Sequence, residues 1–432
     1  MASPAPLALF AEWAQLYGDI FYYRVLHRHV YFINHPDLIK EVLINQAPSF
    51  IKGEAVRANR RIFGEGLLSN EGSSWLQQRR LIQPAFHHSH IESYAAIMVA
   101  YTERMLAGWH DGESRDIHQD MMRLTLEIVS TSLFSVEIAP EKDRVAVALN
   151  TLMELSMGAR MLIPPFLRRI PTRNNRRYER AVRSLDAVVY GLIRERQASP
   201  SQLPATTQEF KDLLGTLLQA RYDDGSPMPE QQVRDEVMTL LLAGHETTAV
   251  SLSWIWLLLS RHPEVEEKLH SELRTVLNGR SPRLHDLAGL PYTERVVKEA
   301  MRLYPPVWAI VRAAVKDCEI GGYLIPAKSP VIMSQWVMHR DQRFYDRPTQ
   351  FLPDRWLDQH YQTAPRFSYF PFGGGPRICI GASFATTEAA LVLATIAQHY
   401  QVRVASSTPI EPVPSITLRP RHGMPATLIR RS

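Results

Sequence analysis

The sequence predicts a mainly α-helical α+β domain with small sheets, on three observations. Helical periodicity runs from about Pro36 to residue 305, with apolar residues recurring three and four apart. Strand-like runs rich in aromatic and β-branched residues lie at the two ends of the chain. No repeat, low-complexity tract or shift of composition marks a linker between them. A lone pair of early strands is marginal in water, so the two ends must meet in space. The whole chain, 1–432, therefore reads as one domain with a β-richer N-terminal part at about 18–60.

Taken in order, Leu7 to Tyr17 is a short helix closed by Gly18-Asp19, and Ile20 to Leu26 and Val30 to Asn34 are strands. Helices follow, broken at Pro164-Pro165, Pro200 to Pro204, Asp224 to Pro229 and Asn278 to Pro282. Val233 to Ser260 is apolar on almost every face, as expected for a helix crossing the centre of a large domain. Its stretch Met238 to Leu259 is long enough for a membrane, but His245, Glu246, Thr247 and Thr248 occupy the middle. Ionisable groups there are costly in a bilayer, so no integral membrane segment is expected. Strand signals return at Trp308 to Val315, Glu319 to Leu324 and Pro330 to Trp336. Ile380 to Tyr400 is a long helix, and strands around Gln401 to Val404, Ile416 to Arg419 and Ala426 to Ile429 close the chain.

Composition narrows the function classes. With 45% hydrophobic and 22% charged residues and a net charge of +5, disordered and collagen-like chains are excluded. Cys318 and Cys379 make no disulfide framework, which points to a reducing compartment. No Lys/Arg-rich block appears, so no nucleic-acid partner is expected. The first basic residue is Arg24, which leaves no charged start for a signal peptide. A soluble, cytoplasmic monomer is the expectation.

The most informative stretch runs from Phe370 to Gly381, where three glycines and Pro376 form a tight turn before Cys379. A cysteine ahead of a helix gains the helix dipole and unpaired N–H groups, which stabilise thiolate. Gly381, Ala382, Ser383 and Ala385 are small enough for a flat body to lie against that helix, and Arg377 adds a fixed positive charge. No second Cys or His stands at zinc-finger spacing. Iron is the metal that one thiolate holds when a macrocycle supplies the other ligands.

Here the sequence resembles the cytochrome P450 family, the haem-thiolate monooxygenases. Their signature Phe-Gly-x-Gly-x-Arg-x-Cys-x-Gly is matched from Phe372 to Gly381 without a departure. The resemblance implies haem b between the long central helix and the cysteine-bearing helix. It makes Cys379 the iron ligand, Arg377 a propionate ligand, and Phe372 and Gly381 neighbours of the cofactor.

The long helix carries Ala243-Gly-His-Glu-Thr-Thr248 at its centre. Gly244 costs about 1 kcal/mol there relative to Ala. A glycine lets a bulky ligand approach the backbone, and a Thr hydroxyl competes for the i−4 carbonyl, here Ala243. Both effects open the helix and admit water. The segment matches the family motif Ala/Gly-Gly-x-Asp/Glu-Thr. By resemblance Ala243 and Gly244 lie against the haem, Thr247 steadies bound oxygen, and Glu246 relays protons from solvent. His245 reads as structural.

Glu299 and Arg302 stand three apart on one helix face, followed by Leu303-Tyr-Pro-Pro306. The family joins such a pair to an Arg from a later Pro-x-Arg-Phe/Trp segment, which Arg355 in Pro353-Asp-Arg-Trp356 supplies. The resulting triad is structural and fixes the cysteine loop. Trp75 and Arg79, one helical turn apart, and Arg312 match further propionate positions.

By the same resemblance, substrate is bordered by segments Ile62 to Leu68, Met157 to Phe166, Leu240 to Thr247, Val307 to Ile310 and Pro414 to Thr417. Leu67, Leu240, Ala243, Val307, Ile310 and Ile416 are the candidate contacts. Their apolar character predicts a hydrophobic small molecule: a fatty acid, terpenoid, steroid or polyketide. The basic stretch Arg168 to Arg180 reads as a solvated helix face. No dinucleotide fingerprint is present, so electrons for O2 come from a separate ferredoxin or flavodoxin with its reductase. The alternatives are a peroxide-using or peroxide-rearranging enzyme on the same fold, or a non-enzymatic haem-binding sensor.

Overall fold

The computed structural model describes residues 5–25, 28–54, 56, 59–137, 142–156, 170–198, 212–405 and 409–431. Helix α1 (Ala5–Tyr17) leads into strands β1 (Ile20–Val25) and β2 (Arg28–Ile33), and β3 (Phe50–Lys52) follows. The longer helices after it are α2 (Gly72–Ile82), α3 (His88–Leu106), α4 (Ile117–Phe134), α5 (Lys142–Ser156) and α6 (Arg173–Ala198). Strand β4 (Ser114–Asp116) precedes α4. Next come α7 (Glu230–Arg261), α8 (Pro263–Leu277) and α9 (Pro291–Leu303). Strands β5 (Ile310–Ala314), β6 (Cys318–Ile320), β7 (Tyr323–Ile325) and β8 (Pro330–Met333) lie before α10 (Ala382–His399). Strands β9 (Tyr400–Val404), β10 (Pro412–Pro414), β11 (Leu418–Pro420) and β12 (Pro425–Arg430) end the described chain.

The two ends do meet. A five-stranded sheet has the order β1-β2-β8-β5-β3, with β2 parallel to β8 at Tyr31↔Val331 and Ile33↔Met333. Its other pairings are antiparallel. A second sheet, β4-β12-β9, joins the C-terminal strand to the segment before α4. Phe10, Trp13, Phe21 and Phe32 clasp α1 to the first sheet, with Phe21 and Phe32 stacked at 4.7 Å.

Two strand expectations need correction. Glu319 to Leu324 is not one strand: Gly321 and Gly322 take φ of +57° and +82° and turn the chain back, so β6 and β7 form a hairpin. The strand expected over Pro330 to Trp336 stops at Met333, because Ser334 caps a helical turn, Gln335–Met338, by accepting from the Val337 N–H. Strands β3, β4 and β10 are too short for alternation to reveal. The breaks at Pro164-Pro165 and Pro200 to Pro204 lie outside the described residues.

Helix α7 is buried along nearly its whole length and crosses α4. Gly244 belongs to that crossing. A Cβ there would come 2.8 Å from Cγ2 of Val129 in α4. Absence of a side chain lets two helix backbones approach. Among the described residues no helix is long and apolar enough to cross a membrane.

Gly244→Ala is therefore expected to destabilise the protein by about 1–2 kcal/mol, the overpacking cost exceeding the gain in helix propensity. Adding Val129→Ala restores most of that loss if the contact is the cause. Urea unfolding of the two variants checks it.

Candidate active site

The stretch from Phe370 to Gly381 is shaped by its glycines. Gly373 and Gly375 have φ of +73° and +69°, a region unfavourable to other residues. A Cβ on Gly375 would also lie 1.8 Å from the Leu43 carbonyl oxygen, so the loop passes where no side chain fits. The Cys379 N–H donates to the Phe372 carbonyl at 3.0 Å and fixes the turn. Helix α10 begins at Ala382 with Gly381 as N-cap, two residues later than periodicity places it. Cys379 thus stands just ahead of the helix, with the Gly381 N–H bonded to it.

Burial pushes the Cys379 thiol up, against weaker opposing pulls from the Gly381 N–H and Arg79. The polypeptide alone therefore favours the thiol, and the expected thiolate depends on a bound metal to supply charge. Although it lies deep in the molecule, Cys379 keeps much of its surface open. A residue both deep and open fronts an interior space.

Helix α7 shows the same sign. Ala243 is exposed in the middle of a helix whose neighbouring turns are buried, and Thr247 beside it is half-buried. Thr247 Oγ1 donates to the Ala243 carbonyl at 2.8 Å, the i−4 competition that the sequence predicts. Thr248 and Ser251 back-bond likewise, at 3.3 and 3.0 Å. Glu246 is 2% exposed. Its carboxylate accepts from Thr417 Oγ1 and from Arg419 Nε, the latter at 2.6 Å. Helices α7 and α10 meet where Glu388 faces Thr248.

Cations gather at one edge. Arg377 lies over the Trp75 ring at 4.3 Å, Arg79 at 5.7 Å and Lys52 Nζ at 5.9 Å. Arg79 also donates to the Ile378 carbonyl at 2.9 Å, which ties α2 to the cysteine loop. Burial and then Arg377 bring Arg312 down to about 10 and Lys52 down to about 7. Lys52, Arg79, Arg312 and Arg377 outnumber the carboxylates beside them, Glu71 and Glu236. A site that lowers the pKa of its own cations has room for anionic charge.

Behind the loop, Glu299 is fully buried and accepts from Arg302 at 2.8 and 2.9 Å and from Arg355 at 2.9 Å. Trp356 Nε1 and the Leu352 N–H complete its shell, both at 3.1 Å. Arg302 donates to the His339 carbonyl, and the His339 ring accepts from the Phe370 N–H at 2.9 Å. That chain of bonds connects the triad to the first residue of the cysteine loop.

The Cytochrome P450 family pattern matches residues 3–425. The chain belongs to the cytochrome P450 family. Cyclooctatin synthase of Streptomyces melanosporofaciens is 39% identical over 93% of this chain and 87% of its own. Pentalenene oxygenase of Streptomyces avermitilis is 35% identical over 95% of this chain and 90% of its own. The crystal structure of cytochrome P450DA haem domain superposes with a TM-score of 0.87 at 27% identity, over 100% of this chain and 94% of that one.

As a P450 the protein is an oxidoreductase of the monooxygenase class and binds haem b through a cysteine thiolate. The residues present fit that group: an open sulfur at depth, an open Ala243 on α7, and a cation-rich edge for two propionates. Phe372 and Gly381 flank the cysteine in its loop. Among the candidate substrate contacts, Val307, Ile310 and Ile416 are half-buried. Leu67 and Leu240 are buried in the helical core. The segment Met157 to Phe166 and residues Arg168 and Arg169 lie outside the described residues. Arg173, Arg176, Arg177 and Arg180 are exposed on α6.

Sequence reasoning missed Lys52, Arg419 and His339, and had Thr417 only as the end of a substrate-bordering segment. Lys52 ends a strand of three residues and donates to the Leu67 and Asn70 carbonyls at 2.7 and 2.8 Å. Its only sequence signal is a lysine at the inner end of an apolar run. Arg419 follows Thr417 and Leu418 in an alternating strand, where polar positions read as solvent-facing.

Two outcomes are expected. Glu299→Gln leaves two guanidinium groups without their shared carboxylate and costs about 3–5 kcal/mol, read as a lower unfolding midpoint with reduced haem content. Cys379→Ala abolishes the strongly red-shifted Soret band that the reduced carbon monoxide complex shows with thiolate ligation. Its persistence refutes the ligand assignment.

Proposed function

We propose that this P450 uses O2 and two electrons from a separate ferredoxin or flavodoxin to hydroxylate or epoxidise a cyclic terpenoid. One observation carries the reading: Glu246 and Thr247 are adjacent on α7, beside the open surface of Ala243. Haem b held by Cys379 supplies the binding and reduction of O2. The side chains supply protons and shape. Thr247, already bonded to a carbonyl of its own helix, offers a hydroxyl that can turn toward the open space. Glu246 provides the carboxyl group that replenishes it.

The substrate side rests on chemistry and on kinship. Val307, Ile310 and Ile416 present apolar surface without a fixed charge, which suits a hydrocarbon skeleton. Relatives named for cyclooctatin and pentalenene chemistry favour terpenoids over the fatty acids, steroids and polyketides that apolarity alone admits. The intact acid–alcohol pair speaks against a peroxide-driven reaction, which needs no such proton delivery. A sensor is excluded if steady consumption of reduced nicotinamide with product formation is measured.

Thr247→Ala is expected to retain haem while diverting most reducing equivalents into hydrogen peroxide, measured as peroxide formed per nicotinamide consumed. Unchanged product yield overturns the role given to Thr247. A panel of cyclic terpenes and fatty acids, screened by the shift of the haem spin state, is expected to select the terpenes. Selection of fatty acids overturns the substrate class.

A further inference from the structure

Helix α6 sorts its side chains sharply by face. Tyr178, Val182, Leu185, Val189 and Leu192 are buried along one side. At about 100° per residue, the opposite side carries Arg173, Arg176, Arg180, Arg183 and Arg194, all of them exposed. The row extends about 30 Å along a straight helix. We propose that this row is a docking surface for an anionic lipid bilayer, from which the enzyme takes up an apolar substrate. The choice of a bilayer rests on the apolar substrate of the proposed function; the sorting of charge does not.

The neighbouring carboxylates are turned away from the row. Glu179 pairs with Arg61 at 3.3 Å, and Asp186 pairs with Arg61 at 3.5 Å and with the buried Arg234. Both acids thus face the segment Arg60–Phe63 and α7. Glu154 on α5 is taken by Arg177 at 2.9 Å. Glu195 is exposed but stands on the flank, about 100° round the helix from Arg194. Among the described residues no carboxylate pairs with the five outer arginines. A solvated helix commonly mixes signs three and four residues apart, which stabilises it. Here like charges are left at those spacings, and an anionic partner offsets their repulsion.

The surroundings of the row favour lipid over other polyanions. Arg144 on α5 donates to Ser184 Oγ at 3.0 Å, which widens the basic face across two helices. Val147, one turn further along α5, is 67% exposed, and Ile170, just ahead of α6, is 48% exposed. Cations mixed with bare apolar side chains suit anionic headgroups with acyl chains beneath them. A nucleic-acid duplex has no use for Val147 and Ile170. An acidic electron donor has to reach the cysteine loop, which is held by Arg79 of α2 and by His339. Helix α6 packs instead on α5 and α7.

The test uses the haem-loaded protein without substrate and measures its sedimentation with vesicles. Binding is expected to vesicles of phosphatidylcholine and phosphatidylglycerol in equal parts, and not to phosphatidylcholine alone. It fades at high salt, as screening requires. Arg176→Gln/Arg180→Gln weakens it about 30-fold while keeping the Soret band of the wild type. Arg261→Gln/Arg274→Gln, which removes the same charge from exposed positions on α7 and α8, leaves it unchanged. Equal losses in the two variants, or no binding to the mixed vesicles, overturn the proposal. A DNA duplex bound as tightly as those vesicles overturns it in favour of a nucleic-acid surface. Because no substrate is present, selection of fatty acids in the spin-state panel bears on the substrate class alone and leaves the docking surface standing.

Discussion

The arrangement depends on one buried carboxylate. Glu299 has no exposed surface, yet it satisfies two guanidiniums, an indole N–H and a backbone N–H at once. Removing such a group from water is favourable only when every lone pair finds a donor. The donors come from α9 itself, from the Pro353–Leu357 turn and from the backbone at Leu352. Arg302 then spends its remaining N–H groups on the carbonyls of His339, Pro348 and Gln350. Segments far apart in sequence are thereby pinned around one charge. His339 carries that rigidity into Phe370, where the cysteine loop begins. A thiolate ligand must be presented at a fixed height and angle, and a glycine-rich loop has no stiffness of its own to do so.

The cofactor space is defined by electrostatic imbalance as much as by shape. On one side the thiol is pushed toward neutrality, and on the edge several cations are pushed toward losing their protons. Each condition is unfavourable for the bare polypeptide. A group carrying iron for the sulfur and two carboxylates for the edge relieves both. Helix α7 contributes by being buried along most of its length while Ala243, near its middle, is exposed.

Catalysis in such a setting is a problem of timing protons against electrons. Glu246 and Thr247 are neighbours in the chain but their side chains are bound to different partners, one to the C-terminal hairpin and one to its own helix. The hairpin also carries the half-buried Ile416, next to Thr417, which bonds Glu246.

Helix α7, the cysteine loop and the Glu299–Arg302 pair were legible in the sequence because each is local. A run of apolar residues, a row of glycines before a cysteine, and opposite charges three apart all act over one or two turns. Arg355 and the cation edge were legible only through family resemblance, since nothing in a single arginine distinguishes a buried ion pair from a solvated one. What tertiary structure alone decided were contacts between distant segments. Gly244 lies against Val129, β6 and β7 fold back on Gly321-Gly322, and Lys52 turns inward to two carbonyls. Arg419 finds Glu246 across more than a third of the chain. The physical reason is range: backbone propensity and periodicity are set by neighbours in sequence, whereas the partner of a buried charge is set by which strands and helices the core brings together.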